Sequence, residues 1–235
     1  MAALAVLTAG LAIAFRLWPW PDLLISALFH DPAKGFAFAG RVVWDGVLLA
    51  NKAASVTLVA VGLVMVPVGL WRRRAEGSSA ARYWGMVLLL YLIGPGLLVN
   101  GLLKHVFGRA RPEQIVDFGG QAPFTAAWEI SGYCRSACSF VSAEMAAGTA
   151  LTTALAIGAL WFDGRPAAGR FRGLALLSLG LLLLTAVQRI GSGRHFLSDL
   201  VFAALLMTML AFGLACLLWP RTARSCTVQP RLNAP

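Results

Sequence analysis

Long, uninterrupted apolar runs dominate the chain, separated by short polar junctions. Four runs stand out, residues 53–71, 84–103, 140–162 and 196–219. A shorter one at 173–187 needs help from its flanks, and residues 2–18 form a first run broken by Pro19 and Pro21. A bilayer core of roughly 30 Å takes about 17–25 apolar residues at about 1.5 Å of helical rise each. The pattern therefore predicts six transmembrane helices. Strands are a poor alternative, because the runs are rich in Leu and Ala and lack the period-two alternation of a membrane barrel. The expected fold class is all-α, an integral membrane bundle, with 1–220 as one transmembrane domain and 221–235 as a short cytoplasmic tail. The first run has no basic leader or small-residue cleavage site, so it reads as a retained helix.

Composition agrees: 59% of the 235 residues are hydrophobic and 13% charged, far from the balance of a soluble domain. Cationic loops tend to stay cytoplasmic. Arg72, Arg73, Arg74 and Arg82 lie between the second and third spans, Arg165, Arg170 and Arg172 between the fourth and fifth, and Arg221, Arg224 and Arg231 after the sixth. These nearly acid-free clusters share one side if the spans alternate, and that side is taken as cytoplasmic. Trp71, Trp84, Trp161 and Trp219 then mark inner span ends, and Trp18, Trp20 and Trp44 outer ones. Arg16 does not follow the charge rule. The net charge of +10 carries no nucleic-acid recognition motif, and its arginines are dispersed over loops, so anionic lipid is the expected partner.

The same layout opens three polar stretches on the non-cytoplasmic face. "KHVFGRARP", residues 104–112, separates Lys104 from the pair Arg111 and Pro112 by six residues. A point charge and a planar fork of donors suit phosphate oxygens, although snorkelling cations at lipid headgroups would also fit. "SFVSAE", residues 139–144, opens the fourth span, where free backbone N–H groups favour an anion near Ser142 and Ala143. A capping serine followed by Glu144 is more often purely structural. "RIGSGRHFLSDL", residues 189–200, puts His195 and Asp199 four apart. On a helix they share a face, the carboxylate orienting the imidazole, with Arg189 folded back over the same spot across Gly191 and Gly193.

Together the three stretches resemble the type 2 phosphatidic acid phosphatase superfamily, whose pattern is Lys-x6-Arg-Pro, then Pro-Ser-Gly-His, then Ser-Arg-x5-His-x3-Asp. Lys104, Arg111 and Pro112 match the first block, and Arg189, His195 and Asp199 the third. The resemblance implies that His195 attacks phosphorus to give a phosphohistidine and that Asp199 holds that histidine. Lys104, Arg111 and Arg189 would stabilise the transferring phosphoryl group, with Ser142 and the amide of Ala143 as further phosphate ligands. It implies no cofactor and no metal; His30 and His105 lie outside any ligand-like spacing with His195. The segments "GRARPEQIVDFGG" and "CRSACSFVSAE" are similar to members acting on lipid A and related lipids of Gram-negative bacteria. That implies a phosphorylated-lipid substrate, the bacterial inner membrane and a site facing the periplasm. Isoprenyl diphosphates and phosphatidylglycerol phosphate are alternative substrates. Arg109, Arg135 and Arg194 are expected either to hold a second phosphate or sugar headgroup, or to be solvated loop charges.

The chain departs from the pattern. Val141 and Ala143 replace proline and glycine, Gln188 replaces the serine before Arg189, and Glu144 stands at the position of the family's second histidine. That histidine protonates the leaving oxygen; a glutamate does so only with a pKa well above the ordinary value of about 4.3. Either Glu144 is a tuned general acid, or the leaving group departs without much protonation. Cys134 and Cys138 are placed for a bridge in an oxidising compartment or for two free thiols, while Cys216 and Cys226 lie toward the cytoplasmic end and are expected reduced. A transporter or flippase subunit, its pathway lined by Arg189, His195 and Asp199 and its third span broken at Gly94 and Pro95, is the rival from another class. It leaves the ordered spacing of the three blocks unexplained. Oligomeric state is not legible, because Gly- and Ala-rich helix faces pack within or between subunits alike.

Overall fold

A computed structural model describes residues 2–71, 75–135 and 138–219. Arg72, Arg73, Arg74, Arg221, Arg224, Arg231, Cys226 and the proposed tail 221–235 lie outside the described residues. Helices α1 (Ala2–Leu17) and α2 (Trp20–Ala27) meet at a bend of 78°. Pro19 and Pro21 lack the N–H groups that would continue the ladder, which accounts for the break. A two-residue hairpin, β1 (His30–Asp31) with β2 (Gly35–Phe36), is a small exception to an otherwise helical chain. Then come α3 (Val42–Trp71), α4 (Ala75–Tyr91), a π-helical stretch over Leu92–Leu103, the single turn α5 (Lys104–Phe107), α6 (Ala143–Trp161), α7 (Pro166–Gly191) and α8 (Leu197–Leu218). Among the described residues, five helical stretches are long and apolar enough to span a bilayer, and the bent α1–α2 pair is the sixth if it counts as one span.

Two elements run past the limits set by the apolar pattern. α3 begins eleven residues before the run at 53–71, since Asp45, Asn51 and Lys52 end the hydrophobicity without ending the helix. α3 is 30 residues long, about 45 Å at helical rise, so its first turns stand beyond a hydrocarbon core of about 30 Å. Gly94 and Pro95 do not break the third span. The backbone widens to π geometry instead, and the Asn100 side-chain amide donates to the Pro95 carbonyl at 2.7 Å.

α6 is the central helix. Its face is built from small residues, so neighbours come close to its backbone. A Cβ on Gly158 would lie 2.6 Å from the Tyr83 hydroxyl and from the Phe171 ring, and one on Gly148 would lie 2.8 Å from Leu182. Tyr83 and Tyr91 use that proximity to donate to the Ala154 and Ala147 carbonyls at 3.0 and 3.1 Å. The bundle's two ends differ. One gathers Tyr83, Trp84, Trp161, Phe162, Phe171 and Trp219 into an aromatic cluster at the expected inner span ends. At the other end the loops converge.

Backbone hydrogen bonds draw those loops together. Phe38 N–H reaches the Gly191 carbonyl at 3.0 Å, Glu113 N–H the Gly193 carbonyl at 3.0 Å, and Ser139 N–H the Arg109 carbonyl at 2.9 Å. Gly108 ends α5 at φ 53°, where a Cβ would also collide with the Ser131 carbonyl oxygen, so glycine is required to turn the chain. Gly193, at φ 68°, leaves room for the Phe36 ring that lies over it. Arg16, the exception to the charge rule, pairs with Glu129 at 2.7 Å. Cys134 and Cys138 form a disulfide with Cα atoms 5.5 Å apart. Thiol labelling of denatured protein is expected to leave these two residues unmodified until reductant is added; labelling of both without reductant would show them as thiols.

Candidate active site

The α7–α8 connection forms the centre of the site. Arg189 ends α7, and its carbonyl accepts from the N–H groups of Arg194 and His195 at 3.1 and 3.2 Å. His195 therefore lies just before α8, which starts at Leu197, while Asp199 sits in that helix's first turn. The expected shared helix face does not form, for this reason. His195 Nδ1 lies 2.8 Å from the Ser139 carbonyl oxygen and 3.6 Å from Asp199 Oδ2. A carbonyl only accepts, so Nδ1 donates to it, which leaves Nε2 as the nitrogen that faces Glu144. The main chain of Ser139 orients the imidazole, and Asp199 acts on it by charge.

Asp199 is fully buried and held on all sides. Its Oδ2 accepts from the Ser139 hydroxyl and, at 2.9 Å, from the Phe196 N–H; its Oδ1 accepts from Arg109 Nη1 at 2.7 Å. Arg109 is not a headgroup ligand or a solvated loop charge. It is 1% exposed, its guanidinium lies 4.3 Å from the centre of the Phe196 ring, and its Nη2 reaches Asp22 Oδ2 at 2.8 Å. Nε donates to the Thr125 carbonyl at 2.9 Å. One guanidinium thus links two buried carboxylates, from α2 and α8.

Glu144 stands in the first turn of α6, above Ser142, whose hydroxyl caps the helix by accepting from Met145 N–H at 3.3 Å. Ser142 is fully buried, and its N–H points at the Asp199 carbonyl, so in this structure it fills the capping role. Ala143 is the first residue of α6. The Glu144 carboxylate bridges two site groups, Oε1 lying 3.3 Å from Arg189 Nη1 and Oε2 3.5 Å from His195 Nε2. Beyond it opens a polar cavity of about 320 Å³ lined by Phe38, Leu48, Arg111, Glu144, Arg189 and Arg194 among others. Arg194 is also paired with Glu113 at 2.9 Å. Lys104 is half-buried and within electrostatic reach of Glu144, Arg111 and Arg189. Arg189 Nε is buried and has no hydrogen-bond partner. The structure therefore brings Lys104, Arg111, Glu144, Arg189, His195 and Asp199 to one end of the bundle. Arg135 is exposed.

Asp22, Ser139 and Ser198 escape a reading of the sequence. Asp22 left one signal, a lone acid between Pro21 and Leu23 in apolar surroundings; an acid in such a place is usually paired. Ser139 contributes through its carbonyl, which no side-chain pattern reports.

A helical bundle with cations from separate segments around a buried imidazole defines a multi-pass membrane protein with a site for an anionic group. The pattern of the PAP2 superfamily matches residues 84–223. A lipid A 4'-phosphatase of Rhizobium leguminosarum is 33% identical over 207 residues, 82% of this chain and 84% of the relative. The chain belongs to the PAP2 superfamily. A lipid A 4'-phosphatase of Rhizobium etli is 40% identical over 139 residues, 55% of this chain and 51% of the relative. Among solved structures, a transmembrane PAP2-type phosphatidylglycerolphosphate phosphatase from Bacillus subtilis superposes with a TM-score of 0.41 at 16% identity, over 88% of this chain and 94% of that one.

Proposed function

We propose that the protein is a lipid phosphatase that removes a phosphate from lipid A, at the periplasmic face of a bacterial inner membrane, through a phosphohistidine. The observation that carries the chemistry is the orientation of His195. Its Nδ1–H is committed to the Ser139 carbonyl, and its Nε2 faces Glu144, which lines the cavity with Arg111 and Arg189. The unpartnered Arg189 Nε is a donor left over for an anion. The relatives named as lipid A 4'-phosphatases support the substrate class and the 4' position. The nearly acid-free arginine clusters that the sequence places between alternate spans support the periplasmic orientation.

In this reading Arg111, Arg189 and Lys104 take the non-bridging phosphoryl oxygens, spreading the charge of the transition state. Glu144, 39% exposed, swings away from Nε2 as the phosphoryl group enters between them. Glu144 takes the proton carried by the incoming phosphate monoester; Nε2 then forms the bond to phosphorus while the bond to the lipid oxygen breaks, and Glu144 passes that proton to the departing oxygen. Asp199 offsets the positive charge of the phosphorylated imidazole. Water attacks phosphorus in the second step, losing a proton to Glu144 and freeing His195 and inorganic phosphate. A diphosphate is the second reading, favoured by the Glu144–Arg189 pair, because its leaving group departs without a proton.

Purified protein in detergent is expected to release inorganic phosphate from lipid A faster than from isoprenyl diphosphate or phosphatidylglycerol phosphate. It should tolerate a chelator and be inhibited by vanadate. A transporter would release none. Glu144→Gln is expected to lower turnover of the lipid monoester by about 10²–10⁴-fold, with a much smaller loss on p-nitrophenyl phosphate, whose leaving group needs no acid. Unchanged turnover of the monoester would remove Glu144 from the acid role.

A further inference from the structure

Asp22 lies outside residues 84–223, the part of the chain that matches the superfamily, yet it is built into the site's support. The N-cap position of α8 is Phe196, which has no side-chain oxygen to cap the helix. Its free N–H groups are satisfied by two carboxylates: Asp199 takes Phe196 N–H at 2.9 Å, and Asp22, from α2, takes Ser198 N–H at 2.8 Å. The second Asp22 oxygen accepts from the Ser198 hydroxyl at 2.6 Å and from Arg109 Nη2 at 2.8 Å. Arg109 reaches the same Ser198 hydroxyl at 2.9 Å and Asp199 at 2.7 Å. Asp22, Ser198 and Asp199 are each 0% exposed, so these bonds are shielded from bulk solvent.

Two consequences follow for the imidazole. Geometrically, Asp22 fixes the first turn of α8 and with it Asp199 and the adjoining His195. Electrostatically, a single guanidinium shared by two carboxylates leaves the cluster with one net negative charge, and Asp199 presents it 3.6 Å from His195 Nδ1. Without the Asp22 charge, Arg109 would neutralise Asp199 alone, and the imidazole would lose the anion that offsets its charge on phosphorylation. Of the other charged groups at the site, Glu144 faces the opposite nitrogen, Nε2, with Arg189 behind it.

We propose that Asp22 is a positioning residue for His195, acting through Arg109 and Ser198 on Asp199. This rests on His195 being the nucleophile. In Asp22→Asn, which keeps the shape and removes the charge, kcat for phosphate release from lipid A is expected to fall by about 10²-fold, the cost of small displacements at a reacting centre. KM stays within about threefold, because no group that touches substrate has changed. Asp22→Glu, which restores the charge, recovers part of kcat. A purely structural carboxylate would instead reduce the yield of folded protein while leaving kcat per folded molecule intact.

A readout independent of turnover is the Nδ1–H resonance of His195 in protein carrying ¹⁵N-histidine, assigned by its absence in His195→Ala. It is expected to shift and to exchange faster with solvent in Asp22→Asn. A shifted resonance in protein that releases no phosphate from any lipid would keep the positioning role and discard the phosphatase reading. Wild-type kcat together with an unmoved resonance in Asp22→Asn would overturn the proposal. Should that variant not fold, Ser198→Ala, which deletes the hydroxyl between Asp22 and Arg109, takes its place. A kcat loss of about tenfold at constant KM is then expected, and wild-type kcat would overturn the proposal equally.

Discussion

His195→Ala is expected to lower phosphate release by on the order of 10⁴-fold or more, the loss typical of removing a nucleophile from a group that acts as a unit. The effect should fall on kcat. Arg111 and Arg189 remain on the cavity wall, so binding of the phosphorylated headgroup is retained. The size of the loss follows from the orientation of the ring: with Nδ1–H bound to the Ser139 carbonyl, Nε2 is the nitrogen left to attack, 3.5 Å from Glu144 at the cavity wall. The measurement is phosphate release from lipid A, paired with trapping of acid-labile, alkali-stable phosphoprotein during turnover of radiolabelled substrate. Wild-type enzyme should accumulate the label and the variant none. A variant retaining a tenth of the activity would place the nucleophile elsewhere, and Glu144, 3.5 Å from Nε2, would be the next candidate.

Arg109→Met carries the largest expected loss of stability. The substitution is apolar and of similar length, and it leaves Asp22 and Asp199 buried without their shared cation. Removing one partner of a buried ion pair costs about 3–5 kcal/mol, because the remaining charge keeps its desolvation penalty and loses its compensation. Here two carboxylates are stranded by one change. The thermal midpoint in detergent should drop sharply, and the folded fraction should turn over slowly because Asp199 no longer holds its place. Arg109→Lys is expected to recover only part of the loss, since an ammonium cannot span Asp22, Asp199 and the Thr125 carbonyl with a planar fork. An unchanged midpoint in Arg109→Met would mean that the charges are solvated. The triple substitution Asp22→Asn, Asp199→Asn, Arg109→Met should in contrast recover stability without recovering activity, as an uncharged cluster carries no stranded ion.

Much of the site was legible because its chemistry sits in short, ordered blocks. Lys104, Arg111, Arg189 and His195 converge as their spacing implies, and Glu144 faces the imidazole from the position of the family's second histidine. One assignment did not survive, and a second held for a different reason: His195 and Asp199 lie 3.6 Å apart, but not on one helix face. Arg109 reads on paper like its neighbours Arg111 and Arg194, but burial between Asp22 and Asp199 separates it from them. The pairing of His195 with Asp199 assumed a helix running through both, whereas the helix begins between them.

The sequence by itself determined the all-α membrane class, the approximate spans and which charged groups gather at the candidate site. Length and polarity of apolar runs are imposed by the bilayer, and phosphoryl chemistry demands particular side chains at particular intervals. Tertiary structure alone decided which groups hold the imidazole and which cation is withdrawn from the cavity. Those outcomes depend on a main-chain carbonyl at Ser139 and on an acid from α2, 87 residues from Arg109. Backbone acceptors leave no mark in a residue pattern, and a partner so distant in the chain is chosen only when packing removes water and forces each buried charge to find its counterpart.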